Sequence, residues 1–161
     1  MDRKFVEMIV LNLCMKKRES FYICGYSVET SLKTCEKDLS KLWNDFNIKK
    51  EELFNVFGYR NDFYGLMWST ENQRYCYLIG IEVNGIDKVP IGACCKYIPG
   101  TNYAVAYVSL TMSAVEAWTE YYEKTLPKAG YIPNSKHGMN FEYYPNGSKG
   151  TYELWTPIIE R

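Results

Sequence analysis

A chain of 161 residues, 47% hydrophobic and 24% charged, suffices for one ordinary globular domain and is short for two. Nineteen Lys and Arg against nineteen Asp and Glu leave no basic excess to neutralise a phosphate backbone, so direct nucleic-acid binding is not expected. The longest apolar runs, 8–10 and 103–110, fall short of the roughly 20 residues of a membrane span, and the N-terminus (Asp2, Glu7) does not read as a secretory signal, so a cytoplasmic protein without membrane contact is expected.

In chain order, residues 6–15 fit a helix or a strand by local pattern, and 21–28 is a short strand rich in β-branched and aromatic residues. Leu32, Cys35, Leu39, Leu42, Trp43 and Phe46 then fall on one helical face, with Glu36, Lys37, Lys41 and Asn44 opposite and Thr30 or Ser31 as cap. Residues 47–63 read as a connector holding one helical turn near 51–54, followed by strands at 64–69, 75–83 and 103–109. A second helix carries Val115, Trp118, Tyr122 and Leu126 as its apolar stripe, with Ser113 or Thr111 as cap and Pro127 as its stop. Residues 127–138 form a connector, and 141–145 and 152–158 are strands joined across the turn signal Asn146-Gly147-Ser148-Lys149-Gly150.

An internal repeat organises these elements. Cys14, Tyr22 and Tyr26 recur 81 positions later as Cys95, Tyr103 and Tyr107, and Leu32, Cys35, Leu39 and Trp43 recur 83 positions later as Val115, Trp118, Tyr122 and Leu126. The expected architecture is therefore α+β, a single domain over 1–161. Two pseudo-symmetric β–α–β–β repeats, about 6–84 and 89–159, form one antiparallel sheet with both helices on one face and a central ligand cleft. The repeat also makes 6–15 a strand paired with 20–27, as 90–98 would be with 102–109.

Six cysteines without a CxxC pair and a single histidine, His137 in a loop, supply no structural zinc set, so neither metal nor cofactor is expected. The cysteines lie mostly in apolar stretches and read as small buried hydrophobes. The informative excess is aromatic: 15 Tyr, 7 Phe and 4 Trp, which suit a cavity wall as well as a core.

In the last hairpin, alternation puts Glu142 with Tyr144 and Glu153 with Trp155 on common faces. A carboxylate in apolar surroundings is poorly solvated and gains from an organic cation, which aromatic faces attract as well. Trp68 and Tyr64 could supply an opposite wall, and Tyr107 could close one end. The same residues would also serve as core, with the two acids facing solvent.

Gly25-Tyr26-Ser27-Val28-Glu29-Thr30-Ser31-Leu32, Leu42-Trp43-Asn44-Asp45-Phe46, Ile79-Gly80-Ile81-Glu82-Val83, the segment 112–118, and above all Phe141-Glu142-Tyr143-Tyr144-Pro145 followed by Tyr152-Glu153-Leu154-Trp155 resemble the GyrI-like family, also called AraC-type effector-binding domains. The resemblance runs over about residues 20–158. It implies two β–α–β–β units around a pseudo-twofold cleft that binds hydrophobic, often cationic, small molecules, with Glu142 and Glu153 as the acids carried over. It further implies the stand-alone form: a drug or effector binder, an interaction module for a separate regulator protein, or a hydrolase that opens strained cyclopropane rings of DNA-alkylating natural products. In the hydrolase, Glu153 or Glu142 would be catalytic, deprotonating water while a tyrosine hydroxyl donates to the developing oxyanion. The leading expectation is a non-enzymatic binder of lipophilic, cationic small molecules.

Overall fold

The computed structural model describes residues 11–134, 136, 139–145 and 150–159; His137, residues 6–10 and the turn at 146–149 lie outside the described residues. Eight strands form one antiparallel sheet: β1 (Asn12–Arg18), β2 (Phe21–Ser31), β3 (Phe63–Ser69), β4 (Arg74–Val83), β5 (Cys94–Ile98), β6 (Thr101–Ser109), β7 (Asn140–Tyr144) and β8 (Thr151–Pro157). Helix α1 (Cys35–Phe57) follows β2. Helix α2 (Ala114–Glu120) follows β6 and continues through a π-helical turn (Tyr121–Thr125) into a last α-turn, α3 (Leu126–Ala129). The strand order β1-β6-β8-β7-β3-β4-β2-β5 reads alike from both ends, with the two repeats meeting where β7 pairs with β3. This is the expected α+β plan, with the helices on one face.

The first strand of each repeat departs from expectation. β1 pairs with β6, and β5 pairs with β2, so each repeat lends its leading strand to the other. β1 and β2 are nevertheless joined by two residues although they stand near opposite ends of the strand order, which requires the sheet to curl until its ends approach. The two short connections cross at that point: a Cβ on Gly100 would lie 2.8 Å from the Ser20 amide nitrogen, so only glycine fits there. The curl buries the face that carries no helix.

That face holds Ile23, Tyr64, Leu66, Leu78, Tyr103, Val105, Phe141 and Trp155. Beneath α1 the other face packs Cys24, Tyr26, Tyr77, Ile79 and Ile81 against Leu42, Phe46 and Leu53, and beneath α2 it packs Ala104, Ala106 and Leu154 against Ala117, Tyr121 and Leu126. Tyr22, Tyr26 and Cys95 thus belong to the helix side, and Tyr103, Tyr107 and Cys14 to the other. The three identities therefore join opposite faces of the sheet, so the repeats correspond element by element and not through them.

Helix α1 also runs through the expected connector to Phe57, starting from Thr34 rather than Thr30 or Ser31. Its apolar stripe is interrupted in sequence by Lys49 and Lys50. Their ammonium groups lie 5.3 Å from the Tyr26 ring and 5.8 Å from the Phe63 ring, and the buried face resumes at Leu53. In α2, the Ser113 hydroxyl accepts the Glu116 amide at 3.2 Å, as an N-cap should. Pro127 does not stop the helix: the π turn just before it, where the Leu126 amide bonds the Tyr121 carbonyl, absorbs the missing N–H, and Gly130 at φ 79° ends the run.

Candidate functional site

Pleating divides the last hairpin between the two faces. On β7, Phe141 and Tyr143 point to the helix-free side, leaving Glu142 and Tyr144 beneath the helices. Glu142 is only 2% exposed. One carboxylate oxygen accepts the hydroxyls of Tyr77 and Tyr144, each at 2.5 Å, and the other accepts the Trp118 indole N–H at 2.8 Å.

These donors come from β4, from β7 itself and from α2, and one local feature brings the first of them in. Gly65 on β3 stands in register opposite Glu142, and a Cβ there would lie 2.0 Å from the Tyr77 hydroxyl. The missing side chain is the passage through which Tyr77 crosses β3 to reach the acid. Trp43 of α1 meets the Tyr144 ring edge-on at 5.2 Å, and Tyr152 of β8 stacks on it at 5.3 Å, so both helices and both central hairpins contribute to one aromatic cluster.

Burial raises the Glu142 pKa above the ordinary carboxylate range, and the bonds from Tyr144, Tyr77 and Trp118 oppose that rise. Burial, and after it the adjacent Glu142 charge, pushes the Tyr77 and Tyr144 hydroxyls well up, so both remain protonated donors. All three hydrogen-bond partners of Glu142 are neutral. Ion pairs given by the described residues join other groups: Arg18 with Glu82, Arg74 with Glu29, and Lys124 with Glu120.

Glu153 lies on the opposite face. In register it faces Tyr107 on β6 and Tyr143 on β7, and one oxygen accepts the Trp155 indole N–H at 2.9 Å. Trp155, Tyr64, Trp68 and Tyr107 are on this same side. The Tyr64 hydroxyl donates to Glu82 at 3.1 Å and accepts from Arg18 at 3.0 Å, and the Lys96 ammonium lies 4.3 Å from the Trp68 ring.

The seven candidate residues therefore split, with Glu142 and Tyr144 under the helices and the other five beneath them across the sheet. Each acid keeps the aromatic companion that alternation gave it. Tyr77, Trp43, Trp118 and Tyr152 join Glu142 without having been singled out as site residues. The available signal was a tryptophan on the inward stripe of each predicted helix.

Residues 15–158 match the model of the family described as integron-associated effector binding protein. Among solved structures, an integron cassette protein from the mobile metagenome of Vibrio cholerae superposes with a TM-score of 0.69 at 12% identity, over 93% of this chain and 98% of the other. SAV2435, solved bound to tetraphenylphosphonium, gives 0.71 at 14% identity over 92% of this chain and 94% of that one. EcmrR in a complex with DNA gives 0.68 at 10% identity, over 99% of this chain and 61% of EcmrR. No curated protein matches the chain.

Proposed function

Because the chain belongs to the integron-associated effector-binding protein family, and with it to the GyrI-like domains that its sequence resembles, we propose that it binds a lipophilic organic cation on the helix side of the sheet, against Glu142. The observation that carries this reading is a carboxylate 2% exposed, ringed by Tyr and Trp side chains, whose hydrogen-bond partners are all neutral. Such a group creates a negative potential that protein dipoles have not cancelled, and a cation entering beside it recovers the attraction at low dielectric.

Three of roughly four lone-pair positions on the carboxylate are already occupied by donors. The complementary occupant carries delocalised charge without N–H groups and touches rings rather than oxygens. Tyr144 and Trp118 are the partly buried members of the cluster, and the cation would lie against their rings with these bonds kept. The fold shared with SAV2435, which was solved with a cation of this type, supports the reading. In this role the chain sequesters the cation or reports it to a separate regulator protein.

The test is a titration with tetraphenylphosphonium and with neutral triphenylphosphine oxide on the wild type and Glu142→Gln. Affinity for the phosphonium should fall about tenfold or more in the variant, with the neutral compound changed little. Equal losses for both compounds, or none for the cation, would show that the Glu142 charge does not select the ligand.

A further inference from the structure

Where the second repeat lays its leading strand on the first, two cysteines meet. β5 pairs with β2 so that Cys95 stands directly opposite Cys24. Directly opposed residues of an antiparallel pair project to one face with Cα atoms roughly 4.5–5.5 Å apart, inside the roughly 4.4–6.8 Å that a disulfide spans. Both side chains lie on the helix side. Cys24 is fully buried in the core beneath α1, and Cys95 packs against that core while staying partly exposed. Their thiols are already hydrogen-bonded to each other.

None of the other four cysteines has a cysteine in register with it. Cys94 points to the opposite face, its Sγ 3.9 Å from the Ser27 hydroxyl. Cys14 lies 3.6 Å from the Tyr107 hydroxyl, Cys35 donates to the Leu32 carbonyl at 3.6 Å, and Cys76 stands opposite Glu29 and Trp68.

The strands around the pair decide which side yields. β2 is clamped on β4: a Cβ on Gly80 would lie 2.4 Å from the Cys24 carbonyl oxygen, and one on Gly25 would lie 1.9 Å from that of Ile79. β5 stands last in the strand order, pairs with β2 alone, and is reached through a largely exposed connection at 84–93. Any adjustment of the sulfur–sulfur distance is therefore made by β5, and an oxidant in solution meets Cys95 first.

We propose that Cys24 and Cys95 are a redox site, closing to a cross-strand disulfide that fastens the exchanged strand of the second repeat to the first. A small-molecule disulfide is the oxidant. The Cys95 thiolate attacks one of its sulfurs, expels the other half and leaves a mixed disulfide on Cys95. The Cys24 sulfur then attacks Cys95 Sγ and expels the second half. One disulfide is reduced to two thiols while two protein thiols are oxidised, and the protons of Cys24 and Cys95 end on the released thiols. Burial raises both protein thiols above the ordinary pKa, and the hydrogen bond from Cys24 partly offsets this at Cys95, which favours the accessible member as the first nucleophile. The site stands apart from the ligand proposed at Glu142 and does not depend on it.

The test equilibrates the full chain with oxidised and reduced glutathione and counts free thiols, with peptide mapping of the oxidised product. The wild type should lose two of its six thiols without retaining glutathione, and one cross-linked peptide pair should carry Cys24 and Cys95. Because the closed loop is long, the melting temperature should rise by about 5–10 °C and fall back on reduction. Cys95→Ser, at a partly exposed position, should abolish both the cross-link and the rise. Cys24→Ala should stop at a single glutathione adduct on Cys95, and Cys94→Ser should behave as wild type. Retention of all six thiols, glutathione adducts without a cross-link, a cross-link through Cys94, or an unchanged melting temperature on closure would each overturn the proposal.

Discussion

Glu142 and Glu153 belong to one hairpin, each two residues from an aromatic partner, yet they occupy opposite chemical worlds. Glu142 is sealed beneath two helices, bonded by three neutral donors, its ionisation opposed by burial. Glu153 stands half-exposed on the other face with one indole donor. The difference comes from register: Glu142 pairs with Leu154 and Tyr143 pairs with Glu153, so the acids are offset by one residue and the pleat sends them to different sides. Similar sequence neighbourhoods thus yield a field-type anion in one place and a hydrogen-bonding anion in the other.

The sharpest way to break this comparison is to reverse both charges. Glu142→Lys places an ammonium, which has no acceptor capacity, beside the Trp118 N–H in a closed cluster. It should cost about 3–5 kcal/mol in urea denaturation, as an unpaired buried charge does. Glu153→Lys sits on a half-exposed rim and should stay within about 1 kcal/mol of wild type. Equal penalties would mean that the two environments differ less than their burial implies.

Next in size is Gly65→Ala. Its methyl group would meet the Tyr77 hydroxyl and lie 3.1 Å from a Glu142 oxygen, so Tyr77 must leave the carboxylate. Overpacking of this kind costs about 1–3 kcal/mol. The substitution should also alter tetraphenylphosphonium affinity, read by titration against the wild type. Wild-type stability with an unchanged phosphonium affinity would contradict the passage of Tyr77 over Gly65 to the acid.

Much of this architecture was legible in the sequence. The order β–α–β–β, twice, behind a leading strand that only the internal repeat indicated, followed from periodicities that local chemistry enforces, and alternation assigned each acid its companion ring. The exchange of leading strands was not legible, because β1 presents the same pattern whether it pairs with β2 or β6, and the crossing at Ser20 and Gly100 that accompanies the exchange is a contact distant in sequence. The length of α1 was hidden by Lys49 and Lys50, which look like solvent positions yet lie over rings. The distribution of the candidate site between two faces was hidden for a related reason: alternation fixes faces within a strand, whereas the relation between β7 and β8 depends on their register.

The last prediction concerns sign more than size. Burial raises the Glu142 pKa in the folded chain, so between the ordinary carboxylate value and the raised one the folded protein keeps a proton that the unfolded chain has released. Stability from this group is fully present below the ordinary value and is lost as pH climbs through the raised one. Glu142→Gln removes that dependence, since its amide is uncharged at every pH and the hydroxyls of Tyr77 and Tyr144 can rotate to accept from it. Thermal melts of wild type and variant should therefore run together at acidic pH and separate toward neutrality, with the variant the more stable. Phosphonium binding should move the other way, strengthening in the wild type over the same rise in pH because the ionised carboxylate is the form that attracts it. A melting difference that is constant with pH would show that Glu142 does not titrate between the two states, and its buried charge would then need a partner other than the one proposed.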